Sequence, residues 1–349
     1  MAGPAADIRI PAQANRIFVW HRGAVGDIIL AGPALQTVAA HYPAARFTLV
    51  GKPNRMSLLV PTLPVEQIWD AQRAIWLDLF QAGGPIDPKL RARLAEFDLA
   101  LVFTPQRSPE FLNRCRQAGL APLLWLPSFP VACRMPVSSV QTETLQRNGI
   151  QRHPAPFQLA MDASELQKAH LWRRAYQHLQ GPLTVLAAGN GHPLKNWPLE
   201  HFARLAHLLT EQYQARICWV IGPAETGLPE KLRTIFSDHD LHVWDNLPLS
   251  TLAARLSLCQ LYIGNDSGVT HLAAALNRPK VIALFGPSDP EIWTPLGDQC
   301  SCLTSRKSCS PCTSGPEIRC SVNVCLTDIT PDEVLAATKC ITSECGMVV

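Results

Sequence analysis

The 349-residue sequence has no window approaching the roughly 20 consecutive apolar residues that a membrane-crossing helix needs. Its opening stretch, MAGPAADIRIPAQANR, lacks the apolar centre of a secretory signal, so the chain is expected in the cytoplasm. Charge imbalance is also slight. With 31 Lys+Arg against 28 Asp+Glu, the formal balance of +3 gives no sign of a nucleic-acid partner. Within the first 150 residues fifteen basic side chains face ten acidic ones; this surplus reads equally as a surface for an anionic partner or as a solvated face, because the basic residues are scattered. A dinucleotide fingerprint is missing too, since Gly23-Ala24-Val25-Gly26-Asp27 has GxxG spacing where GxGxxG is required.

What is present is the composition of a folding chain, 47% apolar and 17% charged, at a length that exceeds one hydrophobic core and predicts two domains. Short apolar runs at residues 16–20, 47–50, 99–103 and 123–126 alternate with Pro-rich loops and a helix-like stretch over 28–41, the pattern of repeated βα units around a parallel sheet. After a proline-bearing segment at 151–161 and a helical stretch over 163–179, Gly181-Pro182 interrupts the pattern. It then resumes, with strands expected at 184–188, 216–221, 261–263 and 281–285 and helices at 200–213, 250–258, 269–276 and 330–339. The expected organisation is an N-terminal domain 1–160, a linker and helix 161–182, a C-terminal domain 183–330, and a helix and tail 331–349. Two doubly wound α/β domains facing a central cleft place their strand-end loops along it, where such sheets bind ligands.

Three of these loops carry chemistry. Gly264-Asn265-Asp266-Ser267-Gly268 joins a strand to the helical VTHLAAAL. The unpaired N–H groups and positive dipole end of a helix start suit a diphosphate. Ser267 reads equally as a helix N-cap or a phosphate contact, Asp266 as an acceptor for a sugar hydroxyl, and His271 as a ligand one turn on or as a packed core histidine. Gly189-Asn190-Gly191-His192-Pro193-Leu194-Lys195 follows the strand TVLAA; its glycines leave room for a ligand, and Lys195 reads as a point charge for a leaving diphosphate or as a surface lysine. Gly23 and Gly26 flank the first-domain loop, where Asp27 reads first as a helix N-cap and second as a general base.

Taken together, GAVGDIILAGPAL, GNGHPLKNWPLEHFARLA and GNDSGVTHLAAALNRPKVIALFGPSDPEIWTP resemble glycosyltransferase family 9, the ADP-heptose:lipopolysaccharide heptosyltransferases, in both order and spacing. The resemblance implies a GT-B fold of two Rossmann-like domains, with 1–160 binding the acceptor and 183–330 the nucleotide-sugar donor, and inverting, metal-independent transfer with no cofactor required. It implies Asp27 as base, Lys195 as diphosphate contact, Asp266 and His271 as sugar contacts, and Ser267, Gly268 and Val269 as a backbone phosphate cradle. Gly189 and Asn190 fall on the donor side, where many members carry hydroxyl side chains, and Glu225 matches a nucleotide-side acidic residue loosely. The implied partners are ADP-heptose or a similar nucleotide sugar and a lipopolysaccharide core or other glycan, with peripheral contact at the cytoplasmic face of the inner membrane. A transferase using another nucleotide sugar, a GT-B nucleotide-sugar epimerase and a non-catalytic assembly protein stand as alternatives.

Eight of the 12 cysteines lie between Cys300 and Cys345. Cys309, Cys312, Cys320 and Cys325 have the number and type of ligands a structural Zn²⁺ or iron takes, and in a reducing compartment free thiols are the alternative. The Asp238-His239-Asp240 triplet resembles a DxD metal motif, but it sits in a polar stretch where a plain loop is the expected reading.

Overall fold

The computed structural model describes residues 10–343 except 82, 130–133, 176–180, 237–240, 313–317 and 319. Contacts divide the chain into two compact units at Ala160/Met161. The first holds an all-parallel sheet of β1 (Arg16–His21), β2 (Arg46–Gly51), β3 (Val65–Asp70), β4 (Leu99–Thr104) and β5 (Leu123–Pro127), in spatial order β3-β2-β1-β4-β5. The second holds β6 (Leu183–Ala187), β7 (Arg216–Ile221), β8 (His242–Asp245), β9 (Leu261–Asn265), β10 (Lys280–Phe285) and β11 (Cys300–Thr304), again all parallel, in order β11-β10-β9-β6-β7-β8.

Sheets of this kind are covered by helices on both faces, so their central strands are apolar throughout instead of alternating. RIFVWH and KVIALF are buried from their second residue onward. Aromatic rings fill much of the first core: Phe18 lies edge-on to Phe97 at 5.3 Å and Trp20 edge-on to Trp76 at 5.4 Å. In the second, Trp197, Phe202 and Trp219 pack with Leu205, Ile263 and Leu284. The final helix, Pro331–Ser343, joins this core through the buried Val334 and Leu335.

Edge strands and breaks depart from expectation. Strands β3, β8 and β11 were not anticipated, and a helix expected over 28–41 is two helices, Val25–Leu30 and Gly32–His41, with Pro33 in the first turn of the second. A proline there costs no hydrogen bond but cannot continue the preceding helix.

Both windings reverse direction at a central strand. In the first unit the chain moves outward from β1 to β3 and then returns to place β4 on the other side of β1; in the second it moves from β6 to β8 and returns to place β9 beside β6. The carboxyl ends of β1, β6 and β9 therefore open at the switch points of their sheets, where doubly wound folds bind ligands. These are the ends that carry the three glycine-bearing loops.

Candidate active site

In the second unit, strand register brings two distant loops together. Leu186 pairs with Ile263 and Ala187 with Gly264, so the loop after β6 and the turn after β9 leave the sheet side by side. Asn265, fully buried, knits them: its Oδ1 accepts the Trp197 N–H at 2.9 Å and its Nδ2 donates to the Ala188 carbonyl at 2.9 Å. Asn190 adds a second tie by donating its Nδ2 to the Asp266 carbonyl, while its Oδ1 accepts the His192 N–H at 3.0 Å.

Across this junction Lys195 Nζ donates to Asp266 Oδ2 at 2.9 Å, and His271 Nε2 lies 3.6 Å from Asp266 Oδ1. Asp266 is only 8% exposed and His271 4%. Burial by itself raises a carboxyl pKa, but the neighbouring His271 and the Lys195 charge outweigh it and hold Asp266 well below the usual carboxylate range. Asp266 thus has a cationic partner that the sequence alone did not reveal.

Ser267 caps the helix Gly268–Ala275, its Oγ accepting the Thr270 N–H at 3.4 Å. The helix therefore begins at Gly268 and Val269, whose N–H groups have no acceptor within the helix itself. Behind the cap, the buried Tyr262 hydroxyl meets Thr270 Oγ1 at 3.0 Å, and Thr270 Oγ1 donates to the Asn265 carbonyl. A short positive helix end thus sits beside an ammonium held in place by a carboxylate, an arrangement able to take a diphosphate.

Glu225, beyond the end of β7, accepts the Gly222 N–H. Its side chain packs on Gly189 so closely that a Cβ there would lie 2.0 Å from Glu225 Cγ. Gly189 is thus needed for close approach, and Glu225 is brought to the same sheet end as Lys195 and Asp266. Gly191 faces open space.

In the first unit Asp27 is not the N-cap. Ala24 takes that position, and Asp27 stands three residues in, its Oδ2 accepting the Ala24 N–H at 2.7 Å. The carboxylate is turned back toward the loop after β1, and Gly26 is buried in the same helix. His21, Gly23 and Arg55 complete the surroundings: the Gly23 N–H donates to His21 Nδ1 at 3.1 Å, and Arg55 Nη1 donates to the Gly23 carbonyl at 2.7 Å.

The metal expectation for the cysteines finds no support among the described residues. Cys309, Cys312 and Cys320 are exposed free thiols, whereas Cys325 is buried in the apolar core beside Leu326. Among the described residues no group of three or more His, Cys, Asp or Glu side chains is arranged to hold a metal ion. The Asp238-His239-Asp240 triplet lies outside the described residues. Among those described, no helix is long and apolar enough to cross a membrane.

Asn265, Trp197 and His21 escaped the sequence reading as site residues. Asn265 stands inside the GNDSG turn, but nothing local marks its side chain as a strut to the loop after β6, whose bonded residues lie 68 and 77 positions away.

The family model for glycosyltransferase family 9 (heptosyltransferase) matches residues 140–320, just over half of the chain. Lipooligosaccharide heptosyltransferase 2 of Haemophilus ducreyi is 32% identical over 148 residues, 41% of this chain and 42% of that protein. The chain thus aligns to about two fifths of the length of that relative. Among solved structures, a family 9 glycosyl transferase from Veillonella parvula superimposes with a TM-score of 0.74 at 18% identity, covering 95% of this chain and 98% of that one. The Escherichia coli ADP-heptose LPS heptosyltransferase II does so with a TM-score of 0.73 at 20% identity, covering 94% and 99%. These likenesses identify the two parallel-sheet units as a GT-B fold, and the chain belongs to glycosyltransferase family 9, the heptosyltransferase family.

Proposed function

We propose that this protein transfers a heptose from ADP-heptose to a lipopolysaccharide core acceptor, with inversion at the anomeric carbon and without a metal. The observation that carries the reading is the Lys195–Asp266 ion pair, with His271 against it, at the start of the helix Gly268–Ala275. The second unit takes the donor through domain 183–330, and the first, domain 1–160, takes the acceptor. The names of the relatives supply the heptose donor and the lipopolysaccharide acceptor; the geometry supports a diphosphate-linked donor of some kind.

The donor's diphosphate meets the Gly268 and Val269 N–H groups and the Lys195 ammonium. Because Asp266 already holds Lys195, little side-chain entropy is lost on binding, and the charge is in place when the diphosphate departs. With positive charge supplied in this way, the reaction has no need of a divalent ion at the leaving group. Asp266 Oδ1 and His271 face the sugar side, and Glu225 beside Gly189 faces the nucleoside side. Asp27 removes the proton of the acceptor hydroxyl as that oxygen attacks the anomeric carbon. The bond to ADP breaks on the opposite face, and one such displacement inverts the centre.

The test is Asp27→Asn assayed for transfer at saturating donor and acceptor. Turnover is expected to fall by about 10²–10⁴-fold, the range for loss of a general base, with the fold intact by circular dichroism. Undiminished turnover removes Asp27 from the mechanism. Transfer is also expected to persist in excess chelator.

A further inference from the structure

His21 closes β1 and is 2% exposed, yet it is neither an ordinary core residue nor part of the mechanism above. Its ring stacks on Phe103 with centroids 5.1 Å apart and planes 26° from parallel. Nδ1 accepts the Gly23 N–H at 3.1 Å, which assigns the proton of the neutral ring to Nε2. Nε2 is buried and makes no hydrogen bond of normal geometry. Burial pushes the imidazole pKa down to about 4, against a weaker upward pull from the Asp27 backbone, so the ring is uncharged at neutral pH.

Gly23 ties this ring to Asp27. A Cβ on Gly23 would lie 2.6 Å from His21 Cε1 and 2.7 Å from both Cβ and Oδ2 of Asp27, so imidazole and carboxylate flank the same glycine. The Gly23 peptide is held at both ends, its N–H by His21 and its carbonyl by Arg55, and the next peptide N–H, that of Ala24, binds the Asp27 carboxylate. An imidazolium here would add a cation beside the base and weaken it; a neutral ring supplies an acceptor without that cost.

We infer that His21 is a positioning residue for Asp27: its neutral Nδ1 fixes the Gly23–Ala24 loop, and through that loop the direction of the Asp27 carboxylate toward the acceptor hydroxyl. This rests on Asp27 acting as the base. An error of about 1 Å in such a group costs on the order of 10²-fold in rate. A role confined to packing would instead survive any ring of similar size.

The experiment compares His21→Phe, which keeps a ring on Phe103 but removes the acceptor, with His21→Gln, whose amide oxygen can accept the Gly23 N–H. Both are assayed on the full chain with ADP-heptose and lipopolysaccharide core, beside Asp27→Asn. The expected pattern is kcat reduced roughly 10- to 100-fold in His21→Phe with KM for the donor within about twofold of wild type, and kcat largely restored in His21→Gln. Thermal melts establish that each variant is folded. Should His21→Phe not fold, His21→Gln decides alone: folded with near-normal kcat supports the assignment, and folded with kcat lost overturns it. A folded His21→Phe with wild-type kcat overturns it as well, provided Asp27→Asn is inactive. If Asp27→Asn keeps full turnover, the base reading fails first, and this inference falls with it.

Discussion

Asn265→Ala isolates the strut that joins the two donor loops. The side chain is fully buried, and its amide satisfies two backbone groups, the Trp197 N–H and the Ala188 carbonyl, whose residues are 1% and 7% exposed. Truncation leaves both groups without their partner. Each such group costs about 1–3 kcal/mol, so the second unit is expected to lose about 2–6 kcal/mol, a large share of the roughly 5–15 kcal/mol that holds a domain folded. For a unit of this size, about 1 kcal/mol lowers Tm by about 2–4 °C, giving an expected drop of about 4–24 °C by scanning calorimetry. Because the same amide sets the loops bearing Lys195 and Asp266, nucleotide-sugar affinity should fall even at temperatures where the variant is folded. A variant within about 1 °C of wild type, binding donor normally, refutes the claim that Asn265 carries these loops.

Lys195→Ala is expected to lower kcat more than it weakens donor binding, because the ammonium gains most as charge develops on the diphosphate; steady-state kinetics alongside calorimetric donor binding separates the two. Asp266 has its folded pKa depressed, so its contribution to stability is present above its unfolded value of about 4 and is lost as pH falls toward the folded one. Asp266→Asn should therefore flatten the stability profile below about pH 4 in denaturant titrations, while the wild type steepens there.

Much of the fold was legible because parallel strands buried on both faces are continuous apolar runs, and RIFVWH, RICWVI and KVIALF announce themselves. The strands that escaped are those lying at the sheet edges. VEQIWD is half-exposed along nearly its whole length, HVWD is short, and CSCLT reads as part of a cysteine-rich tail. The site divides in the same way. Ser267 as a cap follows from a strand-turn-helix pattern of neighbouring residues, so it could be read locally. The Lys195–Asp266 pair spans 71 residues and depends on β6 and β9 being adjacent, a matter of topology that no local pattern encodes. Asp27 was misplaced by three positions relative to its helix because a carboxylate at the third helical residue and one at the N-cap leave similar sequence signatures.

Heptose transfer is read out by incubating the full chain with ADP-heptose and a lipopolysaccharide core that lacks its heptose, and following both products by mass spectrometry. The acceptor is expected to gain one heptose for each ADP released, with the opposite anomeric configuration from the donor. Consumption of ADP-heptose that proceeds equally without acceptor, or transfer only from a different nucleotide sugar, contradicts it.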